Sequence, residues 1–580
     1  MFKTHSVTWA FFIAIFSIFL VTGLFRFTRL GNVPQGLTQD EAYYLYDAYS
    51  ISQTSKDLHG VSLPLMFRST GEYKLNLTYL IAGAISWTGL NTTSARLPSA
   101  IAGYLTLFVF YFIIRQLTSK SVVALISVTI LALSPWHFGI SRLFYESNVG
   151  LLFLSLSFLA GLTILKDKKS PVILWVILGL GAALAAYFYG SFRYLGVGLV
   201  LLVIVIDYLK SQRFIRHHIL TLLLYVLVIL PIGSQMFSKA GLMRLSQESK
   251  LHEFGYELTI NEARSNCYLT SGKNLIFSKI CYFFWNKPVL FIEQAGNTAI
   301  KLLSPEYLFF KSYDAYIVPS DYGAYLPYLI PFYLLGIYAF FKLLYLLDPR
   351  ALFMAGSLLG SISIVSLLGS VVYHRNTLGL LIIMVLISLG LNTFLELFSS
   401  PKFRKYLVFP LLLTILGLGI FQSSKYLIYY FTTFAIKDPL LFKYDAPDIY
   451  RYLSTKRDYT IYDNIFFAPV FAGIYWQLDP ADFQINAKWA SPDQWGFSNA
   501  DHWNNLHFQG TNMEKLLCLK NRQPSIPIKT LLVDDPTGHY FKYASFVSHD
   551  FSGSLDLHAI YDIDVIYEIA KTQYPGDLCK

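Results

Sequence analysis

Long apolar runs separated by short basic loops fill most of the first 426 residues. Runs at 7–28, 97–115, 121–139, 148–165, 172–189, 194–209, 219–235, 325–346, 351–370, 377–397 and 406–426 are of the length and composition that predict eleven transmembrane helices. A further run, 76–90, is shorter and is interrupted by Gly83, Trp87, Thr88 and Gly89. Positive charge decides how to read it. If 76–90 lies flat, one side receives Lys3, Arg115, Lys120, Lys166, Lys168, Lys169, Lys210, Arg213, Arg216, Lys342, Arg350, Lys402, Arg404 and Lys405. If it crosses, most of these fall on the other side. The excess of Lys and Arg marks the cytoplasmic face. The pattern therefore predicts an interfacial helix at 76–90, the N-terminus inside and the C-terminus outside. No small-residue cleavage site follows the first run, which is expected to remain as an anchor.

The pattern changes after about residue 438. Short β-like runs at Tyr459–Ile465, Ile474–Gln477 and Lys529–Val533 alternate with turns such as Asp534-Asp535-Pro536-Thr537-Gly538. The expected fold is a polytopic α-helical membrane protein of about eleven spans with a small C-terminal α/β soluble domain. The expected division is a membrane domain over 1–435 and an extracytoplasmic domain over 436–580. Two substantial outer loops, 29–96 and 236–324, belong to the first. Composition agrees: 54% of residues are hydrophobic and 14% charged, against roughly a quarter charged in soluble domains. The net charge of +10 comes largely from the short loops, so it gives topology rather than a nucleic-acid surface. All four cysteines, Cys267, Cys281, Cys518 and Cys579, fall on the outer side, which suits an oxidising compartment and leaves three pairings open.

With this topology the unusual polar residues gather at outer helix ends. Asp40 and Glu41 lie just past the first span, and Lys74 precedes the flat helix. Arg96 opens the second span, Arg142 and Glu146 flank the next outer loop, Arg193 follows a tight turn, and His374 and Arg375 occupy another. Charge beside a bilayer is usually paired or functional. Each group also has a structural reading. Arg96 and Arg193 can be interfacial anchors, Glu146 can pair with Arg142 on one helix face, and Thr38 with Glu41 fits a capping box. Together, one acidic pair among scattered Arg and Lys suits an amphiphilic anionic substrate such as a lipid-linked phosphate. Transfer from such a donor needs one general base and a basic clamp for the leaving phosphate.

The segment Gly36-Leu37-Thr38-Gln39-Asp40-Glu41-Ala42-Tyr43-Tyr44 resembles the Asp-Glu motif of the membrane GT-C glycosyltransferases, in particular the dolichyl-phosphate-mannose protein mannosyltransferases and the bacterial aminoarabinose transferases. Ser94-Ala95-Arg96-Leu97-Pro98-Ser99 resembles the next motif of that superfamily, and Ser134-Pro135-Trp136-His137 with Arg142 and Glu146 its next outer loop. Lys74 stands where those proteins carry a Lys before two prolines, here Leu75 and Asn76. Leu303-Ser304-Pro305-Glu306-Tyr307 and Ile474-Tyr475-Trp476-Gln477-Leu478-Asp479-Pro480 are similar to bacterial members. The resemblance implies a hexosyl- or pentosyltransferase that uses a polyprenyl-phosphate sugar and inverts the anomeric centre. From its place at the outer interface beside an acid and basic residues, Asp40 is expected to be the base, with Glu41 in support, and Lys74, Arg96 and Arg375 are expected to contact the donor phosphate. Arg142, Glu146, Arg193 and His374 are further candidates. The implied partners are the lipid-linked sugar, membrane lipids, and an acceptor protein, glycolipid or glycan.

No cofactor is assigned and no residue is named as a metal ligand, although Asp40, Glu41 and Glu146 could hold a divalent ion through oxygen. The rival reading is a lipid or solute transporter, which would place ionisable residues at mid-membrane; here the helix interiors are nearly uncharged. The loop 236–324 carries Phe254, Tyr256, Tyr268, Phe277, Tyr282, Phe283, Phe284 and Trp285 among Arg244, Lys250, Arg264, Lys273 and Lys279. It is expected to pack as a lid beside the donor, held by a Cys267–Cys281 bridge.

Overall fold

The structure, a computed structural model, describes residues 2–579 apart from 70–72, 168, 213–215, 237–255, 272–274, 369–370, 397–408, 435, 437–440, 466–467, 492–497, 509, 523–528, 538–539, 551–552 and 574–578. Of the residues used above, Lys168, Arg213, Arg244, Lys250, Phe254, Lys273, Lys402, Arg404, Lys405 and Gly538 lie outside the described ones. The chain forms two compact units. One comprises Met1–Thr28 and Ser99–Leu427, the other Arg29–Pro98 and Ile428–Lys580.

The first unit is helical. Among the described residues of the chain, eight helices are long and apolar enough to cross a membrane. A ninth span is the pair α5 (Ser121–Leu133) and α6 (Pro135–Ser141), bent by 64°. The break falls where Pro135 cannot donate the next helical hydrogen bond. Two shorter apolar helices, Ile13–Phe27 within α1 (Phe2–Phe27) and α8 (Val172–Ala185), occupy the remaining expected spans. The protein is thus a multi-pass integral membrane protein. Tight pairing of the helices Ile330–Tyr345 and Thr377–Glu396 depends on two glycines. A methyl group at Gly336 or Gly390 would strike the carbonyl of Leu386 or Phe332. The segment read as a lid contains three helices, Tyr256–Ser271, Leu275–Phe284 and Lys287–Leu303, and Cys267 is bridged to Cys281. Phe283, Phe284 and Tyr282 are exposed there, as suits a membrane interface.

The second unit holds a seven-stranded mixed sheet in the spatial order Lys488–Trp489 (β4), Ala500–Trp503 (β5), Leu506–His507 (β6), Thr460–Asp463 (β3), Thr530–Asp534 (β7), Asp556–Asp562 (β9) and Phe546–His549 (β8). Its central strands β3 and β7 are parallel, and β9 runs antiparallel to β7. Leu532, Ala559 and Tyr561 pack there with Leu516, Leu517, Ile563, Ile566 and Ala570 of the helices Met513–Arg522 and Ile563–Gln573. Cys518 and Cys579 are bridged. Two of the expected strands form, but the third does not. Ile474 and Tyr475 end a buried helix, Ala468–Tyr475, because apolar residues on all sides of a short run fit a buried helix as well as a strand.

The division at 435/436 leaves the first outer loop with the membrane helices, whereas its contacts place 29–98 with the tail. Tyr46 Oη of α2 (Gln39–Thr54) donates to the Leu478 carbonyl at 3.4 Å. Gln484 Nε2 donates to Ser50 Oγ, Thr54 Oγ1 and the Asp57 carbonyl at 2.9–3.0 Å. Asp479, in the motif that follows, caps the helix Pro480–Asn486.

Within this unit α3 (Leu77–Thr88) is 12 residues long, about 18 Å, too short for a hydrocarbon core of about 30 Å. Leu80, Gly83 and Trp87 are exposed along one side of it, Trp87 at 84%. An apolar stripe ending in an exposed Trp is what a helix lying in the interface presents.

All four native cysteines are bridged, so introduced thiols report topology cleanly. Asn91→Cys is expected to react with an impermeant maleimide from outside the cell. Lys120→Cys should react only from the cytoplasmic side. The opposite labelling pattern would mean that 76–90 crosses.

Candidate active site

The loop 29–96 is organised by the start of α2. Thr38 Oγ1 accepts from the Glu41 N–H at 3.1 Å, and Glu41 Oε2 accepts from the Thr38 N–H at 2.9 Å, a reciprocal capping box. Both acids of the motif stand in the first turn, where the helix dipole favours negative charge. Consecutive helical residues point about 100° apart, so the two carboxylates part company.

Glu41 turns inward and has no exposed side-chain surface. Arg96, equally buried, meets it in a bidentate pair: Nε to Oε1 at 2.7 Å and Nη2 to Oε2 at 3.1 Å. The remaining Arg96 donors go to carbonyls, Nη1 to Leu30 and Pro34 at 3.1 and 2.7 Å, Nη2 to Gly36 at 2.8 Å. Every guanidinium nitrogen is bonded inside the protein, so Arg96 holds the loop rather than presenting itself to a donor phosphate, as the sequence led us to expect. Gly36 completes the arrangement at φ +87°, and a Cβ there would strike the Phe442 carbonyl oxygen.

Asp40 turns outward. Its side chain is 57% exposed, and Oδ1 accepts from Lys74 Nζ at 2.8 Å. Lys74 lies in β2 (Tyr73–Lys74), paired with β1 (Phe67–Arg68), and is only 3% exposed. Its ammonium stands 5.2 and 4.8 Å from the ring centroids of Tyr43 and Tyr44. The structure thus brings Asp40 and Lys74 together on a fixed support.

Two acids not singled out in the sequence lie behind them. Asp47 is buried, with Oδ1 accepting from the Leu58 N–H at 3.0 Å. Burial pushes its carboxyl up to about 8, partly opposed by the Leu58 hydrogen bond; Asp57 adds to the rise and Lys74 opposes it. Asp57 accepts from the N–H groups of His59 and Val61 at 3.0 and 2.8 Å. Both are single acids in polar surroundings, so only burial distinguishes them.

The other candidates belong to the membrane unit. Arg142 follows α6 and donates through Nη1 to the carbonyls of Phe25 and Arg26, both at 2.8 Å, closing the C-terminal end of α1. Glu146 opens a separate helix, α7 (Glu146–Lys166), so the two do not share the helix face proposed from their spacing. Arg26, which the sequence reading passed over at the end of an apolar run, has Nη2 2.8 Å from His137 Nδ1. Arg193, in the first turn of α9 (Phe192–Ser211), is buried and reaches the Ala186 carbonyl. His374 and Arg375 sit in the turn Tyr373–Arg375. His374 Nδ1 is 3.1 Å from Asp314 Oδ2, and its ring stacks on Tyr145 at 5.0 Å. Asp314 had no signal in the sequence. Among the described residues, no cluster of three His, Cys, Asp or Glu could hold a metal ion.

Two outcomes separate the adjacent acids and test the buried one. Glu41→Gln leaves the Arg96 guanidinium without its counter-charge and should cost about 3–5 kcal/mol. In thermal denaturation of purified protein it should lower Tm markedly, and by more than Asp40→Asn, because the Asp40 carboxylate is half-exposed whereas both members of the Glu41–Arg96 pair are fully buried. Asp47 binds its proton more tightly folded than unfolded, so its stabilising contribution is complete below about 4 and is lost as pH rises through about 8. Asp47→Asn should flatten the decline in Tm between pH 5 and 9.

Residues 75–234 match the dolichyl-phosphate-mannose-protein mannosyltransferase family. No curated protein matches the chain. Among solved structures it is similar to ArnT from Cupriavidus metallidurans bound to undecaprenyl phosphate, at 11% identity and TM-score 0.48, over 94% of this chain and 97% of that one. It is also similar to the oligosaccharyltransferase AglB from Archaeoglobus fulgidus, in complex with an inhibitory peptide and a dolichol-phosphate, at 12% identity and TM-score 0.46, over 79% of this chain and 63% of that one. The family match covers residues 75–234 of the 580-residue chain and begins just after Lys74.

Proposed function

We propose that the protein is a membrane glycosyltransferase that moves a sugar from a polyprenyl-phosphate donor to an acceptor hydroxyl on the outer face of the membrane, with inversion. The observation that carries this reading is the division between the two acids. Glu41 is buried in the Arg96 pair, while Asp40 offers a half-exposed carboxylate that Lys74 fixes in place. The family match supports the same chemistry from outside that motif, since it begins at residue 75.

In this mechanism Asp40 removes the proton of the acceptor hydroxyl as that oxygen attacks the anomeric carbon. The bond to the phosphate oxygen breaks, and the lipid phosphate leaves with the electron pair. One base suffices because a phosphate leaves readily once its charge is met. Lys74 links the two halves of the step. As Asp40 takes the proton its charge disappears, and the Lys74 ammonium becomes available to the departing phosphate. Arg96 and Glu41 position α2 and take no part in the chemistry.

Asp40→Asn is expected to lower sugar transfer from a polyprenyl-phosphate sugar by about 10²- to 10⁴-fold. Donor binding should be retained, and the variant should remain folded at the assay temperature. Turnover at the wild-type rate in that variant would overturn the assignment of the base.

A further inference from the structure

A cavity of about 230 Å³ opens within the unit formed by 29–98 and 428–580. At about 30 Å³ per water it has room for about eight waters, too much space to remain an idle packing defect in a close-packed unit. Four rings line it, Tyr43, Phe483, Trp489 and Phe508, together with the amides Asn464 and Asn499. No charged side chain is among its described lining residues.

We propose that this cavity is a binding site for one neutral sugar ring. Three observations point to that ligand class. First, the aromatic walls suit the C–H faces of a pyranose or furanose, while the two amides can exchange hydrogen bonds with its hydroxyls. Trp489 is held as a platform by His59, whose ring lies 4.1 Å away, and by the edge-on Phe483 at 6.1 Å. Second, the described lining residues are uncharged. Burial, with Arg68 nearby, pushes His59, which backs Trp489, down to about 4, so it carries no charge at neutral pH. A phosphate would find no cation among the described lining residues. Third, the cavity adjoins the acid-lysine pair. Tyr43 forms part of its wall, and the same ring lies 5.2 Å from Lys74 Nζ, which holds Asp40. The site rests on the glycosyltransferase reading for the origin of the sugar, which can be the donor's transferred ring or a ring of the acceptor.

Saturation-transfer NMR on the full-length protein in nanodiscs tests this with methyl pyranosides of mannose, glucose and arabinose as probes. At least one should show transfer to its ring protons. That signal should fall about tenfold in Trp489→Ala, the loss of one stacked ring, and also in Asn499→Leu, whose exposed position keeps the fold intact. Absence of signal from every probe, or equal signal in both variants, overturns the proposal. Displacement by a polyprenyl-phosphate sugar but not by bare polyprenyl phosphate supports the site and identifies the ring as the donor's. Displacement by neither supports it as an acceptor site. Displacement by bare polyprenyl phosphate overturns it in favour of a lipid site. The measurement is repeated in Asp40→Asn: retained probe binding with undiminished turnover would remove Asp40 as base and leave the cavity standing.

Discussion

A carboxylate and a guanidinium, both withdrawn from solvent, hold the loop 29–96 in shape. The Glu41–Arg96 pair joins the first turn of α2, the beginning of α4 (Thr92–Thr118) and the chain from Leu30 to Gly36 through five hydrogen bonds. A buried ion pair is stabilising only when its geometry is good and its other donors are satisfied. Here the three carbonyls and the capping box meet that condition. The direction of every side chain on the first turn of α2 follows from it.

The neighbouring acid is the beneficiary. Once Glu41 is fixed inward, helical geometry turns Asp40 away from the core and toward solvent. Lys74 approaches from the β1–β2 hairpin, its stem buried and its ammonium over two tyrosine rings. Two side chains of nearly the same chemistry, adjacent in sequence, thus have opposite surroundings: one is sealed in an ion pair and the other is half-exposed on a fixed support.

The same loop is inseparable from the tail. Tyr46 and the segment Ser50–Asp57 bond to Leu478 and Gln484, and Tyr43 shares a cavity wall with Trp489 and Phe508. Residues more than 400 positions apart along the chain therefore build one folded unit. Insertion of the spans and folding of this unit draw on different forces. The first follows apolar length and loop charge; the second requires the loop and the tail to bury one another.

The sequence by itself determined the elements whose signal is local. Apolar length identified the spans, and the Thr38–Glu41 spacing identified the capping box. The sequence also marks Asp40 and Lys74 as candidates, and the fold pairs them at 2.8 Å. It misjudged Ile474–Gln477, where an all-apolar run has no period to separate helix from strand. Tertiary structure alone decided what each charge does. Arg96 looks like an anion ligand until its five donors are traced to Glu41 and three carbonyls. Asp47, Asp57 and Asp314 are ordinary acids until burial and their partners single them out. A residue's type and spacing fix what it can bond to, but which bonds it makes depends on groups brought near from distant parts of the chain, and only the folded chain supplies those.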